Sequence, residues 1–475
     1  MHLTPRQSGA GWLRHSTDMG DIMTKPGDLK KRLKAAGVKT CIASYVDMHG
    51  VSKSKFVPMS HFDQMMKGSE MFTGAALDGV PQEIHDEEVA CMPDPGAAMI
   101  LPWQPEVALI PSDLWCDGAP FEACSRNILG RQIARARKMG FTMNMGIEAE
   151  FFVFHDEFEG RGEQAGRDPV SPQQHLEKPA YDTSRLLDNM PWLAELVDAM
   201  DSLGWDVYSF DHEDGIGQVE IDFAYADVKT MADRFVFLRL MANKIAGKHG
   251  AYASFMPKPF GERTGSGAHF NMSLADPKTG ANLFKAKKDP RGCGLSPLGY
   301  KFLAGILRHL PAIMATVAPQ VNSYKRLVKQ GSMSGFTWAP IFACYGDNNR
   351  TNAMRIPSGG GRVELRAADS ACNPYLGAAM CLAAGLDGIE EDLDPGDPNT
   401  ENMYTLSERE LKRRKISVLP RTLDEAVTAF EKDSLSRRVF GDAMFESWVS
   451  YQRDEWLSYL NHVSDWERDR YLRFF

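Results

Sequence analysis

Arg362-Val363-Glu364-Leu365-Arg366 alternates charged and apolar residues over five positions. Side chains on a β-strand alternate faces with period two. Arg362, Glu364 and Arg366 then share one face, and Val363 and Leu365 share the other. Two guanidiniums flanking a carboxylate suit a site that holds a metal ion beside a transferring phosphoryl group. Alone, the stretch reads equally well as a solvated strand face with an internal ion pair. What separates the two readings is the recurrence of similar patterns elsewhere in the chain.

Immediately upstream, Asn349-Arg350-Thr351-Asn352-Ala353-Met354-Arg355-Ile356-Pro357 brings two more arginines, and Asn322-Ser323-Tyr324-Lys325-Arg326-Leu327 brings a basic pair. Further back, Gly146-Ile147-Glu148-Ala149-Glu150 runs into Phe151-Phe152-Val153-Phe154. Glu148 and Glu150 therefore share one face of an expected buried strand. Carboxylates there need partners, and a metal ion is the obvious one; a strand end reaching into solvent is the alternative. His212-Glu213-Asp214 and Gly217-Gln218-Val219-Glu220 form a segment whose loop could carry Glu213 and Glu220 to one ion. Thr264-Gly265-Ser266-Gly267-Ala268-His269 is a Gly-rich turn entering a strand, on which His269, Asn271 and Ser273 point the same way. Such a turn lets backbone amides approach an anion, although a lone histidine at a strand start also occurs for purely structural reasons.

The ligand chemistry is nearly all carboxylate oxygen, which suits Mg²⁺ or Mn²⁺ and not zinc. The arginines suit phosphate. Together they point to nucleotide phosphoryl transfer by positioning and charge neutralisation. The chain has no Gly-x-x-x-x-Gly-Lys-[Ser/Thr] loop and no kinase signature, so the common ATP-binding folds are disfavoured.

Composition sets the frame for this site. The chain has 475 residues, 43% hydrophobic and 25% charged, which is ordinary for a soluble globular protein with a large core. A net charge of −9 argues against a nucleic-acid surface, and the run Lys412-Arg413-Arg414-Lys415 reads as a solvated helix face. No apolar run approaches the roughly 20 residues of a membrane helix. The eight cysteines form no Cys-x-x-Cys pair and read as free thiols of a cytoplasmic protein.

Residues 1–25 are polar and expected to be a disordered tail. Residues 26–124 read as a small α+β unit: a helix over 27–39, then short strands at Thr40–Val46, Val51–Val57, Ala98–Leu101 and Val107–Leu114. A second unit, 125–475, opens with a helix at Arg126–Met139 with Ser125 as its cap, followed by a strand at Met143–Phe154. His155–Tyr181 reads as a long surface loop. Helices are expected at Leu186–Leu203, Val228–His249, Pro297–Leu310 and Tyr375–Leu386, and the last 70 or so residues as charged amphipathic helices.

These motifs, in this order over nearly the whole chain after residue 25, resemble the glutamine synthetase superfamily. The Glu-x-Glu strand matches at Glu148 and Glu150, the His-Glu and Gly-Gln-x-Glu segments at Glu213 and Glu220, and the Gly-Ser-Gly-x-His loop from Gly265 to His269. Asn-Ser-Tyr-Lys-Arg-Leu is intact, and the Asn-Arg, Arg-Ile-Pro and Arg-x-Glu-x-Arg segments match at Arg350, Arg355, Arg362, Glu364 and Arg366. The resemblance implies an α+β fold with an N-terminal β-grasp domain and a catalytic α/β domain, in ring-forming oligomers, typically dodecamers of two hexameric rings. It implies one metal site at Glu150, Glu213 and Glu220 and a second at Glu148, His269 and Glu364. It further implies Arg350, Arg366 and Glu213 as catalytic groups and Gly265, Thr264, Arg326 and Arg366 around glutamate. Ser273, Asn271, Arg355 and Arg362 would lie around ATP.

Departures from the family pattern bear on the amine. Ammonia-using members carry a glutamate in the loop after Lys-Arg-Leu, yet residues 327–346 contain no Asp or Glu. The family's N-terminal Asp-Gly-Ser aspartate falls at Thr73, unless Asp78-Gly79 supplies the acid. The family asparagine before the Gly-rich loop is Thr264, and the second histidine of that loop is Asn271. Phe336 and Trp338 could form an apolar wall for an alkyl group. The chain is thus most similar to the γ-glutamylmethylamide synthetase and type III glutamine synthetase-like branch. The expectation is an ATP-dependent ligase joining the γ-carboxylate of L-glutamate to a small amine, methylamine first. The alternatives are ammonia, another amine (isopropylamine, aniline or a polyamine), or a non-catalytic structural relative. Tyr404 occupies a segment that some bacterial members adenylylate, but Thr405 replaces the usual acid, so Tyr404 is expected to be unmodified.

Overall fold

The computed structural model describes residues 25–155, 179–332, 335–336 and 338–474. The expected N-terminal tail and most of the expected loop after His155 lie outside these residues.

Two sheets organise the chain. The first runs Ser52–Pro58, Thr40–Val46, Val107–Cys116, Val89–Pro93, Met71–Phe72 in space, with Met99–Ile100 and Ala119–Pro120 also pairing on Val107–Cys116. Its pairs are antiparallel except Thr40–Val46 with Val107–Cys116, where Ile42 faces Leu109 in a parallel register. The helix Pro26–Ala35 starts on a proline, whose missing N–H is one of the unpaired donors of a first turn in any case. It buries Leu29 and Leu33 against Phe62, Ile110 and neighbouring apolar residues.

The second sheet runs Tyr345–Asp347, Met354–Ile356, Val363–Leu365, Ala268–Ala275, Thr142–His155, Gln218–Phe223, Val207–His212. Ala226–Asp227 and Ala251–Ser254 also pair on its long central strand, Thr142–His155. Its period-two pattern explains how the sheet is used. Met143, Met145, Ile147 and Ala149 are buried against the helices behind the sheet, while Asn144, Gly146, Glu148 and Glu150 face the other way. Beyond Glu150 both faces are covered, Phe152 and Phe154 packing in a separate cluster with Phe260.

The helices behind the sheet are Ser125–Lys138, Thr183–Ser202, Val228–Lys248, Pro297–Val317 and Pro374–Glu390. Two expectations fail here. Ser125 is the first helical residue and not the cap; its hydroxyl donates to the Val46 carbonyl at 3.0 Å, tying the helix to the first sheet. The helix expected to stop at Leu310 continues through Pro311 to Val317. A proline in a helix interior removes one hydrogen bond, and burial of Ala312 to Val317 in the core outweighs that loss.

The larger apolar core takes in Ile42, Val46, Val107 and Leu109 of the first sheet as well as the second-sheet residues. At the junction, buried Arg126 reaches Asp113 of the first sheet, Asp94 just after its strand Val89–Pro93, and Asp233 of the Val228–Lys248 helix, at 2.8–3.0 Å. The C-terminal helices Leu423–Lys432, Ser434–Phe440, Asp442–Asn461 and Asp465–Tyr471 appear as expected. Among the described residues no helix is long and apolar enough to cross a membrane. The basic run ends the helix Glu408–Arg413, and Arg413 and Arg414 pair with Glu410.

Candidate active site

Strand register builds the site. Glu150 lies opposite Glu220, which lies opposite Asp211 on the next strand. One step along, Glu148 lies opposite His269. Beyond it Asn271 lies opposite Glu364, which lies opposite Arg355. One face of the sheet thus carries stepped rows of carboxylates with a histidine between them.

His269 joins two groups of ligand atoms. Glu148, His269 and Glu364 form one group, and Glu150, Glu220 and His269 the other, each with its atoms within 4.8 Å of one another. The imidazole Nδ1 is 3.0 Å from Glu148 Oε2, and Nε2 is 3.6 Å from Glu150 Oε1. The donors are carboxylate oxygens plus one imidazole, a set that fits hard divalent cations. Glu213, the third ligand expected with Glu150 and Glu220, stands outside both groups. It remains close enough for its charge to be felt: burial first, and then Glu150, push its carboxyl up to about 8. Burial and the charges of Glu150 and Glu213 also push Glu220 well up. Burial and Glu148 push Asp222 up to about 7. Glu148 behaves oppositely. Burial would raise it, but hydrogen bonds from His269 and Asn271 pull it down to about 2. Carboxylates repelling one another on one face are what a bound cation would relieve.

Glu364 is wholly buried, and each of its oxygens meets a guanidinium. Arg355 Nη1 donates to Oε2 at 2.6 Å and Arg366 Nη1 to Oε1 at 2.7 Å. Each oxygen keeps a lone pair, so the two ion pairs leave coordination open. Arg362 does not pair with Glu364 as the five-residue alternation suggests; its Nε donates to Asn271 Oδ1 at 2.9 Å, while Asn271 Nδ2 donates to Glu148 Oε1 at 2.9 Å. Ser273 is buried opposite Asn144 on the same strand face. Arg350 is exposed, and its carbonyl accepts from Arg366 Nε at 3.2 Å.

Arg326 is buried beneath the Gly-rich turn, donating to the carbonyls of Ala367 and Arg366 at 3.2 and 3.1 Å. The glycines are required by that approach. A Cβ on Gly265 would run into the Pro257 carbonyl oxygen and lie 2.8 Å from Arg326 Cγ, and one on Gly267 would lie 2.7 Å from both Arg326 Nη2 and His269 Nε2. Thr264 is buried beside them, with its hydroxyl on Gln218.

Further residues of the site were given no role in the sequence reading. Gln218 links Glu150 to the Gly-rich turn, and the Ser370 hydroxyl lies within hydrogen-bond reach of the carbonyls of Glu150 and Gly267, at 2.6 and 2.8 Å. Tyr181 stands at the margin with φ +63°, its phenol in the field of Glu213, Asp211 and Arg350. Away from the carboxylates, the Thr73 hydroxyl donates to Glu88 at 3.1 Å and Asp78 pairs with His49 at 3.2 Å. Trp338 is 47% exposed with φ +53°; the side chain of Phe336 lies outside the described residues. Tyr404 is buried, donating to the Ala339 carbonyl at 2.6 Å.

The mixed sheet presents a carboxylate–histidine face with arginines beside it, and the chain belongs to the glutamine synthetase family: residues 122–471 match its catalytic domain. Among its relatives, a glutamate–methylamine ligase from Methyloversatilis universalis is 40% identical over 95% of this chain and 100% of its own length. A glutamine synthetase from Rhizobium leguminosarum bv. phaseoli is 37% identical over 94% of this chain and 99% of its own. Among solved structures, one described as a GmaS/ADP complex superposes with a TM-score of 0.86 at 37% identity, covering 94% of this chain and 99% of that one.

Proposed function

We propose that this protein is an ATP-dependent ligase that joins the γ-carboxylate of L-glutamate to a small primary amine, with methylamine preferred. The observation that carries the reading is the 40% identity to a glutamate–methylamine ligase across its full length. The acid-free stretch 327–346 supports it from within the chain. Ammonium is small and strongly hydrated, so a dry site needs anionic partners to hold it. An alkylammonium regains affinity by burying carbon.

The chemistry runs in two steps. A γ-carboxylate oxygen of glutamate attacks the γ-phosphorus of ATP, giving γ-glutamyl phosphate and releasing ADP. The neutral amine then attacks the acyl carbon, phosphate leaves with the C–O bonding pair, and the amine nitrogen loses its proton. Arg326 and the backbone around Gly265 hold the glutamate carboxylate end. Thr264 acts through loop shape, since its hydroxyl faces Gln218. Arg350 and Arg366 neutralise charge on the transferring phosphoryl group. Arg355, Arg362, Asn271 and Ser273 line the nucleotide side. Glu213 is the group assigned to take the amine proton. Mg²⁺ or Mn²⁺ would be held by Glu150, Glu220, Glu213 and by Glu148, His269, Glu364, and when bound supplies charge neutralisation for the phosphate oxygens.

The reading extends to architecture: a β-grasp domain over 26–124, a catalytic domain over 125–475, and rings of subunits. Exposed Leu457, Leu460, Trp466, Leu472 and Phe474 near the C-terminus support self-association. Within such rings each active site would lie between neighbouring subunits. The test is product identity by mass spectrometry, with ATP, glutamate, methylamine and ammonium together. γ-Glutamylmethylamide as main product supports the reading; glutamine alone defeats the amine assignment; and no glutamate-dependent ADP release defeats the ligase.

A further inference from the structure

Gln218 is completely buried, and its carboxamide touches three parts of the site at once. Its Oε1 accepts from the Gly215 N–H and from the Thr264 hydroxyl, both at 3.0 Å. Its Nε2 donates to the Gly265 carbonyl at 3.1 Å and to Glu150 Oε2 at 3.3 Å. Its backbone carbonyl accepts from the Glu213 N–H at 2.9 Å.

The orientation of this amide is forced. A backbone N–H only donates and a backbone carbonyl only accepts. Oε1 must therefore face Gly215, and Nε2 must face Gly265. It follows that the Thr264 hydroxyl is the donor in its bond to Oε1. Its one proton points into the protein, away from the cleft. Gly267 adds a second tie between the same elements, its N–H donating to Glu150 Oε2 at 2.7 Å.

We infer that Gln218 is a positioning residue that locks the Thr264–Gly267 turn to the Glu150 carboxylate, with Thr264 as its specific partner, so that the glutamate-binding turn and the metal-binding carboxylate are set as one unit. This rests on the ligase reading for the identity of the ligand. The hydrogen bonds of its side chain are to Gly215, Thr264, Gly265, Ser266 and Glu150. Its effect is on the shape of the turn over Arg326 and on the direction of one Glu150 oxygen. The nucleotide side, built on Glu364, Asn271 and Arg355, makes no hydrogen bond to it. The threonine matters because its short β-branched side chain places a donor against Oε1 without leaving the buried wall of the turn.

The test is equilibrium binding of L-glutamate and of Mn²⁺ to the full chain by titration calorimetry, alongside steady-state kinetics and Tm. Gln218→Met keeps the length of the side chain and removes every polar contact. It is expected to weaken glutamate binding at least about tenfold and Mn²⁺ binding by a comparable factor, with KM for ATP within about twofold of wild type. Thr264→Val removes only the hydroxyl donor and should weaken glutamate about threefold or more, leaving Mn²⁺ binding unchanged. Thr264→Ser should restore wild-type glutamate affinity within about twofold. The double variant should be no worse than Gln218→Met, because both changes break one linkage. Unchanged glutamate binding in a folded Gln218→Met protein, or multiplying effects in the double variant, overturns the inference. If Gln218→Met folds poorly, the Val and Ser pair at position 264 decides it alone. Wild-type protein that binds Mn²⁺ and nucleotide but not glutamate overturns the ligase reading and this inference together. Wild-type glutamate binding that is insensitive to these substitutions overturns only the inference.

Discussion

Metal uptake by the cation-free protein at pH 7 should expel protons, and the carboxylate face gives the number. Burial, then Glu150, holds Glu213 at about 8 against a usual 4.5. Burial and two neighbouring glutamates hold Glu220 well above its usual range. A carboxyl titrating near 8 is about nine-tenths protonated at pH 7, and Glu220 is shifted in the same direction. Carboxylates must ionise to ligate a cation, so filling the face should release at least about one proton, with Glu220 adding to it. The sign for stability follows from the same shifts. Both groups titrate higher in the folded state than unfolded, so each confers stability that is complete below about pH 4.5 and falls as pH rises, for Glu213 through about 8. Cation-free protein should therefore show a falling Tm from pH 5 to 8, and Mn²⁺ should raise Tm more at pH 8 than at pH 6. Titration calorimetry with Mn²⁺ at pH 7, in buffers of different ionisation enthalpy, counts the protons directly. Heat that does not depend on the buffer, together with a flat Tm for cation-free protein from pH 5 to 8, would refute the reasoning.

Three substitutions probe the rest of the site. Glu364→Ala strands Arg355 and Arg366 in the interior without their carboxylate, so it should cost about 3–5 kcal/mol of stability, read by denaturant titration, and abolish turnover. Arg350→Ala should lower kcat by about 10³ or more, whereas Arg326→Ala should act mainly on the KM for glutamate, since the carboxylate it faces keeps its charge throughout; the reverse pattern in steady-state kinetics would mean the roles are wrongly assigned. Gly267→Ala puts a methyl 2.7 Å from both Arg326 Nη2 and His269 Nε2, and should abolish glutamate binding by calorimetry while the protein still folds by circular dichroism.

Much of this site was legible because β-strands write their faces with period two. Glu148 and Glu150 were readable as one face, as were His269, Asn271 and Ser273, and the sheet places them so. Which residue faces which was not readable, because register across strands depends on pairings between segments far apart in the sequence. Hence the sharing of His269 between two carboxylate groups, and the turn of Arg362 toward Asn271 and away from Glu364, emerge only in three dimensions. Glu213 lies in a turn, where no periodicity fixes its direction. Gln218 and Ser370 are uncharged residues whose importance comes from contacts with distant backbone groups. The helix through Pro311 shows a buried face overriding a local breaker.

The amine assignment is tested most directly by comparing kcat/KM for methylamine and for ammonium at matched free-base concentration, with ATP, glutamate and Mg²⁺ saturating. Burying one methyl group is worth about 0.8 kcal/mol, close to fourfold. Methylamine should exceed ammonium by at least about that factor. A clear preference for ammonium would contradict the account and make this chain an ordinary glutamine synthetase.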